Sequence, residues 1–345
     1  MRILGIESTA HTFGVGIYDS SADKILANEK AYYKPINEGI VPRKAADFHS
    51  QNGAKIIEKA LARAKTKITE IDAIAYSAGP GLGPCLQVGA CAAAFLAAKY
   101  DLPLVPINHC HAHIEIGRWQ CKFSNPLVLY VSGGNTQIII GSKLGGRVRK
   151  SLKLGRGAPP PRFGFGAPFA VLGETLDIGI GNLFDVFARE LKIPFAHGSV
   201  VAQKAMKGKN YHPLPYTIKG MNFVFSGLLT CASKMIGKIN EEDLCYSLME
   251  TAFCELAEGT ERALMLTRKK EILVCGGVAQ NHVLVGKIRQ MAKLHGANAG
   301  TCENEYNADN GAMIALTGAK MLKKGKMIKP QKVWIDQKYR IDMVK

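Results

Sequence analysis

Apolar positions in this chain fall into short runs broken by small-residue turns, with longer helical-period stretches between them. Ile3, Leu4 and Ile6 form a first run, Glu7-Ser8-Thr9-Ala10-His11-Thr12 interrupts it, and Phe13 to Asp19 continues in small and β-prone residues. Residues 2–19 therefore read as strand, tight turn, strand. The pattern returns at 127–141, where Leu127 to Val131 and Gln137 to Ile140 flank Ser132-Gly133-Gly134-Asn135-Thr136. Two such units far apart predict a duplicated α/β architecture. Ile56, Ile57, Ala60, Leu61 and Ala64 share one side of an expected helix over 45–65. A short strand at 72–77 runs into the Gly/Pro loop 78–84, then a small-residue helix over 88–99, then a strand at 104–107. That is a βα unit whose loop lies at the strand's C-terminal end, where open α/β sheets place ligands. Further on the pattern predicts a helix over 177–191, irregular chain over 192–240, a helix over 243–266, a strand at 272–275 and a helix from about 307 to 323.

Composition narrows the class. The 345 residues are 47% hydrophobic and 21% charged, enough for one large or two medium domains with substantial cores. The longest apolar run, Cys91 to Ala98, is too short to cross a bilayer, and the N-terminus lacks a signal-peptide layout. Nine cysteines without a C-x-x-C pair point to a reducing, cytoplasmic setting. A net charge of +17 points to a polyanionic partner, nucleic acid first. The basic groups are unevenly spread. No acidic residue occurs between Glu115 and Glu174, a window that holds Arg118, Lys122, Lys143, Arg147, Arg149, Lys150, Lys153, Arg156 and Arg162.

Candidate chemistry centres on Asn108-His109-Cys110-His111-Ala112-His113-Ile114-Glu115. On a helix His109 and His113 lie at i and i+4, suited to one divalent ion, while His111 faces elsewhere. Spacing alone leaves open a His-rich surface helix. The turns at 8–12 and 132–136 are places where backbone N–H groups can face a phosphate. Asp177, Gly181 and Asp185 share a helical face able to hold ribose hydroxyls or a cation, or simply to face solvent. Gly276-Gly277 closes a strand and can lie against an adenine ring, with Asn281 offering hydrogen bonds. Asp309 occupies the expected N-cap of the last helix.

Together these motifs resemble the Kae/TsaD/Gcp (OSGEP) family, the catalytic subunit of the tRNA threonylcarbamoyl-adenosine machinery. The resemblance spans nearly the whole chain. It rests on Gly79 to Pro84, Asn108-His109-Cys110 with His113 to Gly117, Leu129 to Gln137, Gly173 to Asp177, Leu214-Pro215-Tyr216 with Lys219-Gly220-Met221, and Asp309 to Ala315. Tyr130 and Ile114 to Arg118 are similar to the archaeal and eukaryotic branch. The resemblance implies a two-lobed actin/Hsp70/sugar-kinase-like (ASKHA) fold around a nucleotide cleft. The expected division is a first lobe over 1–105, a second over 106–309, and a C-terminal helix and tail over 310–345 returning to the first. It implies one divalent metal on His109, His113, Tyr130 and Asp309, with iron preferred for its affinity for phenolate and zinc as a substitute. It implies adenine-nucleotide contacts, to threonylcarbamoyl-AMP or ATP, at Tyr130, Val131, Ser132, Gly133, Gly134, Asn135, Asp185, Gly198 and Asn281.

The implied reaction moves the threonylcarbamoyl group from threonylcarbamoyl-AMP to the exocyclic amine of the adenosine 3′ of the anticodon, in tRNAs reading codons that begin with A. The implied partners are tRNA and the KEOPS subunits, a small kinase-like ATPase and a small dimerising protein, downstream of a threonylcarbamoyl-AMP synthase. No membrane role is implied. The chain departs from the family pattern in four places. Residues 145–169 form an insertion, expected to be a mobile basic loop. Ala196-His197-Gly198-Ser199 replaces the usual Pro-Gly-Gly-Pro, Ala202 stands where a glutamate is usual, and Ser8 replaces a glycine. The alternatives are an ATPase or sugar kinase of the same fold, a scaffolding paralogue, and a metalloprotease. The last would need His-Glu-x-x-His, and Cys110 follows His109 here.

Overall fold

A computed structural model of the chain describes residues 1–34, 39–141, 168–193 and 197–344, with the backbone of 162–163. Packing divides it into two units, one of residues 1–119 with 304–341, the other of residues 120–303 with 342–345.

In the first unit β1 (Arg2–Glu7), β2 (Thr12–Asp19), β3 (Lys24–Tyr32), β4 (Ala73–Gly79) and β5 (Leu104–Asn108) form a sheet of order β3-β2-β1-β4-β5. The first three run antiparallel, and β4 and β5 join parallel to β1. Every position of β4 is buried, as a strand covered on both faces requires. Helices α1 (Pro42–Arg63), α2 (Gly83–Lys99) and α3 (His109–Cys121) follow in sequence. Leu4, Ile6, Phe13, Val15, Ile17, Ile74, Tyr76, Ala90 and Ala93 lie in one apolar core.

The second unit repeats the plan. Strands β6 (Leu127–Val131), β7 (Thr136–Gly141), β8 (Arg162–Phe163) and β9 (Phe169–Glu174) are followed by α4 (Ile180–Glu190) and α5 (Gly198–Ala205). A small hairpin comes next, of β10 (Ile218–Lys219) and β11 (Asn222–Phe223). Then come α6 (Ser226–Lys234), α7 (Glu241–Thr267), β12 (Glu271–Cys275), α8 (His282–Leu294) and β13 (Asn298–Thr301). The sheet order is β13-β12-β6-β7-β9-β8, with β6, β7 and β9 antiparallel and β12 and β13 parallel to β6. Without β8 this is the first sheet again, so the duplication expected from the two strand–turn–strand units is present.

The chain returns to the first unit through α9 (Asn304–Asn307) and α10 (Gly311–Lys323). Helix α10 lies on β1 and β2 with backbone nearly touching backbone. A Cβ on Gly5 would sit 2.2 Å from the Ala315 nitrogen, and one on Gly16 2.2 Å from that of Ala312. A Cβ on Gly311 would meet the Gly16 nitrogen at 2.2 Å. These positions have no room for any side chain, and this contact fixes the height of the loop before α10. The tail packs on the same unit. The Tyr76 hydroxyl donates to the Trp334 carbonyl at 2.8 Å, and the Asp336 N–H donates to that of Ala78 at 2.8 Å.

Several elements differ from the sequence reading. The histidine segment and Asp309 pack in the first unit, so the division falls at 119/120 and 303/304 rather than at 105/106 and 309/310. Helix α4 begins at Ile180, which leaves Asp177 outside it. Instead of sharing a face with Gly181 and Asp185, Asp177 accepts the N–H groups of Ile178, Phe225 and Ser226 and ties two loops together. The stretch 192–240 is not irregular, since it contains α5, the β10–β11 hairpin and α6. Most of the basic insertion expected at 145–169 lies outside the described residues.

Candidate functional site

The histidine helix starts where β5 ends. Asn108 closes the strand, and its side-chain oxygen accepts the His111 N–H at 3.0 Å while its amide donates to the Tyr339 carbonyl at 2.8 Å. That bond satisfies a first-turn donor and sets the helix phase. All three histidines are buried, which removes the surface-helix reading. His109 and His113 stack edge to face, with ring centroids 4.7 Å apart.

Asp309 comes from the far end of the unit, 196 residues after His113. Its Oδ1 lies 3.3 Å from His113 Nε2 and 3.5 Å from His109 Nε2. Asp309 is not the N-cap. Asn310 takes that role, its side-chain oxygen accepting the Met313 N–H at 2.9 Å, so the Asp309 carboxylate is spared for the histidines. The three candidate ligand atoms lie within 4.8 Å of one another. Ligands about 2.0–2.2 Å from a tetrahedral ion stand roughly 3.3–3.5 Å apart, so this trio fits a divalent metal such as zinc or iron.

Electrostatics set the protonation of the trio. Burial alone would depress His109, but the Glu7 and Asp309 carboxylates outweigh it and raise the imidazole to about 9. Burial would raise Asp309, yet His109 and His113 hold its carboxyl well below the usual range. Burial pushes His113 down, against the pull of its Asp309 hydrogen bond. A bound cation would displace the His109 proton and leave two neutral imidazoles and one carboxylate as donors.

Glu7, which the sequence reading passed over, touches this site. Its Oε2 lies 3.0 Å from His109 Nδ1, and its Oε1 accepts the Thr9 N–H at 2.7 Å. Ser8 N–H donates to the Ser77 hydroxyl at 3.0 Å. The N–H groups of Ser8 and Thr9 are thus engaged, and the first hairpin tip supports His109 with residues expected to face a phosphate. The one available signal was a carboxylate closing an otherwise apolar strand.

The remaining site residues belong to the second unit. Tyr130 and Val131 are buried at the end of β6. Ser132 and Asn135 close the following turn on themselves, the Ser132 hydroxyl accepting the Asn135 N–H at 3.2 Å. Gly133 and Gly134 are exposed, and a Cβ on Gly134 would meet nothing within 4 Å. Helix α4 abuts the turn, with Gly181 N–H on the Ser132 carbonyl at 3.1 Å and Asn182 N–H on that of Gly133 at 3.0 Å. Asp185, one turn into α4, accepts the Gly198 N–H at 2.7 Å. The structure therefore joins the turn, Asp185 and Gly198 along one helix. Asn281 caps α8 by accepting the Val283 N–H at 3.0 Å, so its side-chain oxygen already has a structural task. At Gly276, φ is +98°, and a Cβ would lie 2.4 Å from the Val131 carbonyl, so the strand end there admits only glycine.

The doubled sheet plan places this chain in the actin-like class of two-unit α/β proteins, with a trio that could hold a metal ion built into the first unit. Solved structures of the same fold include HypF of T. kodakarensis, with a TM-score of 0.61 and 15% identity over 95% of this chain and 48% of that one. Another is component A of the Acidaminococcus fermentans (R)-2-hydroxyglutaryl-CoA dehydratase, with a TM-score of 0.54 and 16% identity over 94% and 99%. Residues 22–154 and 165–316 match the family model described as TsaD: tRNA N6-adenosine threonylcarbamoyltransferase. A tRNA N6-adenosine threonylcarbamoyltransferase of Thermofilum pendens is 43% identical over all of this chain and 96% of its own length. That of Staphylothermus marinus is 44% identical over 99% and 98%. A probable bifunctional tRNA threonylcarbamoyladenosine biosynthesis protein of Methanosarcina mazei is 43% identical over 99% of this chain and 59% of its own length. The chain belongs to the TsaD family, and it is a transferase.

Proposed function

We propose that this chain transfers the threonylcarbamoyl group of threonylcarbamoyl-AMP to N6 of the adenosine 3′ of the anticodon, in tRNAs reading codons that begin with A. The observation that carries this reading is the meeting of His109, His113 and Asp309 in a chain that matches the family over residues 22–154 and 165–316. The reaction is an acyl transfer. The adenosine N6 forms a bond to the carbamoyl carbon, the bond from that carbon to the phosphate oxygen breaks, AMP leaves, and N6 loses one proton. Because AMP is already a good leaving group, positioning and charge stabilisation are the enzyme's main tasks.

His109, His113 and Asp309 would hold the divalent ion, and the family resemblance implies the Tyr130 phenol as a fourth ligand. When bound, that ion supplies a Lewis acid for the threonylcarbamoyl end. Phenolate ligation favours iron over zinc in this reading. The exposed Gly133 and Gly134 let backbone approach the AMP phosphate, with Asp185, Gly198 and Asn281 around the nucleoside. Ala202 offers the ribose no hydrogen bond where the family usually has a glutamate.

The protease reading lacks its base. Cys110 is buried, and Glu115 is committed to Lys320 at 2.6 Å and Arg118 at 2.7 Å. The excess of basic residues supports tRNA as the partner, and assembly with KEOPS subunits is what the resemblance to the archaeal and eukaryotic branch implies. None of the nine cysteines forms a disulfide, and among the described residues no helix is long and apolar enough to cross a membrane. The unbridged cysteines support a cytoplasmic setting. The test is incubation of the purified chain with tRNA and threonylcarbamoyl-AMP, followed by nucleoside mass spectrometry. Wild type is expected to yield threonylcarbamoyl-adenosine and His113→Ala almost none. Equal yield from both would remove the metal trio from the reaction.

A further inference from the structure

We propose that Glu7 is the positioning residue of the metal centre: by accepting the His109 Nδ1 proton it keeps the Nε2 lone pair of His109 turned towards Asp309 and the ion. The inference rests on the metal reading above and concerns a residue outside the ligand set.

Glu7 is fully buried at the end of β1, where a carboxylate needs a strong reason to sit. Each of its oxygens has a definite task. Oε1 takes both Thr9 donors, the backbone N–H at 2.7 Å and the hydroxyl at 2.5 Å. Oε2 is thereby turned to His109 Nδ1 at 3.0 Å. An ionised carboxylate only accepts hydrogen bonds, so Nδ1 carries the proton in this contact. Once an ion displaces its second proton, the imidazole has its lone pair on the other nitrogen. That nitrogen is the one 3.5 Å from Asp309 Oδ1. The opposite tautomer would set a lone pair against a carboxylate and point N–H at the ion.

The brace has a backing of its own. Leu82 N–H donates to the Thr9 carbonyl at 2.8 Å. A Cβ on Gly81 would lie 2.6 Å from that oxygen, and one on Gly89 would lie 2.0 Å from the Ser8 hydroxyl. The Gly/Pro loop after β4 and the start of α2 therefore press on residues 8 and 9, which hold Glu7. This gives the 79–84 motif a task that binding a ligand would not explain.

The experiment measures Zn²⁺ affinity by chelator competition for wild type, His109→Ala, Glu7→Gln and Thr9→Val, with circular dichroism as the fold check. In the Zn²⁺-loaded protein, NMR reads the His109 Nδ1 proton. Loss of a group that orients a histidine ligand typically weakens metal binding by about 10–100-fold. Glu7→Gln is expected to fall in that range and to shift the Nδ1 proton upfield. Thr9→Val is expected to lose up to about tenfold, the low end of that range, because the Thr9 hydroxyl both donates to Glu7 and lies 3.4 Å from His109 Nδ1. A folded Glu7→Gln variant with wild-type affinity and an unmoved proton would overturn the proposal. Should Glu7→Gln fail to fold, Thr9→Val decides, and affinity within twofold of wild type would overturn it. Wild type indifferent to His109→Ala would instead overturn the metal reading on which it rests.

Discussion

His109, His111 and His113 share one helix but meet different carboxylates. His109 lies between Glu7 and Asp309, His113 meets Asp309, and His111 Nε2 lies 3.6 Å from Glu115. Replacing His109 or His113 with alanine is therefore expected to remove most bound metal, by elemental analysis of purified protein. His111→Ala should retain it, and equal loss in all three would refute the geometry. His49 is a separate case. It is fully buried against Phe13 and Phe48. Burial pushes it down to about 4 from 6.5. The unfolded chain then binds more protons than the folded one between those values, so stability rises with pH across that window and is lost as pH falls through it. The size is on the order of 3–4 kcal/mol, because each tenfold change in proton affinity is worth about 1.4 kcal/mol. Urea denaturation from pH 7 to 4 should show a flatter decline for His49→Leu than for wild type. Parallel declines would mean that His49 protonates freely in the fold.

Two elements bear the ligands of the first unit, and one ion pair ties them. Lys320 on α10 reaches Glu115 on α3 at 2.6 Å, beyond the ligands on each side. Lys320→Met would leave Glu115 buried with less compensation. Loss of a partner from a buried pair costs about 3–5 kcal/mol. Lys320 is half exposed and Arg118 remains, so a loss of roughly 1–2 kcal/mol is expected by chemical denaturation. In the second unit the Ser132–Asn135 turn makes a cleaner test. Because a Cβ at Gly134 meets no protein atom, Gly134→Val should fold normally while blocking phosphate from the backbone. Adenine-nucleotide affinity is expected to drop at least tenfold, about 1.4 kcal/mol, by calorimetry. Unchanged affinity would reduce the turn to a structural role.

At the scale of the whole molecule, the dominant property is charge. The net +17 contains an acid-free window from Ile116 to Gly173, in which Arg147, Arg149, Lys150 and Arg156 have no carboxylate nearby in sequence. These four lie outside the described residues, and the proposed tRNA contact rests on their charge alone. Each phosphate contact adds roughly 0.7–0.9 to the slope of log affinity against log salt. Reversing the four to glutamate is expected to weaken tRNA binding and flatten that slope, with adenine-nucleotide affinity nearly intact. Filter binding across a salt series reads it, and an unchanged slope would move the tRNA surface elsewhere.

Local pattern alone determined much of this protein. Alternation marked both strand–turn–strand units, and with them the duplicated fold, because strand and helix periods are properties of neighbouring residues. The i, i+4 spacing put His109 and His113 on one face for the same reason. The motif resemblance supplied Asp309 as a ligand, which no spacing could, since 196 residues separate it from His113. Only the tertiary structure decided what depends on distant approach. The backbone contact of α10 with β1 and β2, through Gly5, Gly16 and Gly311, sets Asp309 beside the histidines. It also holds the histidine helix in the first unit, because α3 meets Asp309 just before α10 and Lys320 on it. Asp177 looked like part of a helical face until the true helix start at Ile180 turned it to the 225–226 backbone. Glu7 carried no pattern at all. A single carboxylate at the end of a strand becomes meaningful only when folding buries it 3.0 Å from a histidine 102 residues away.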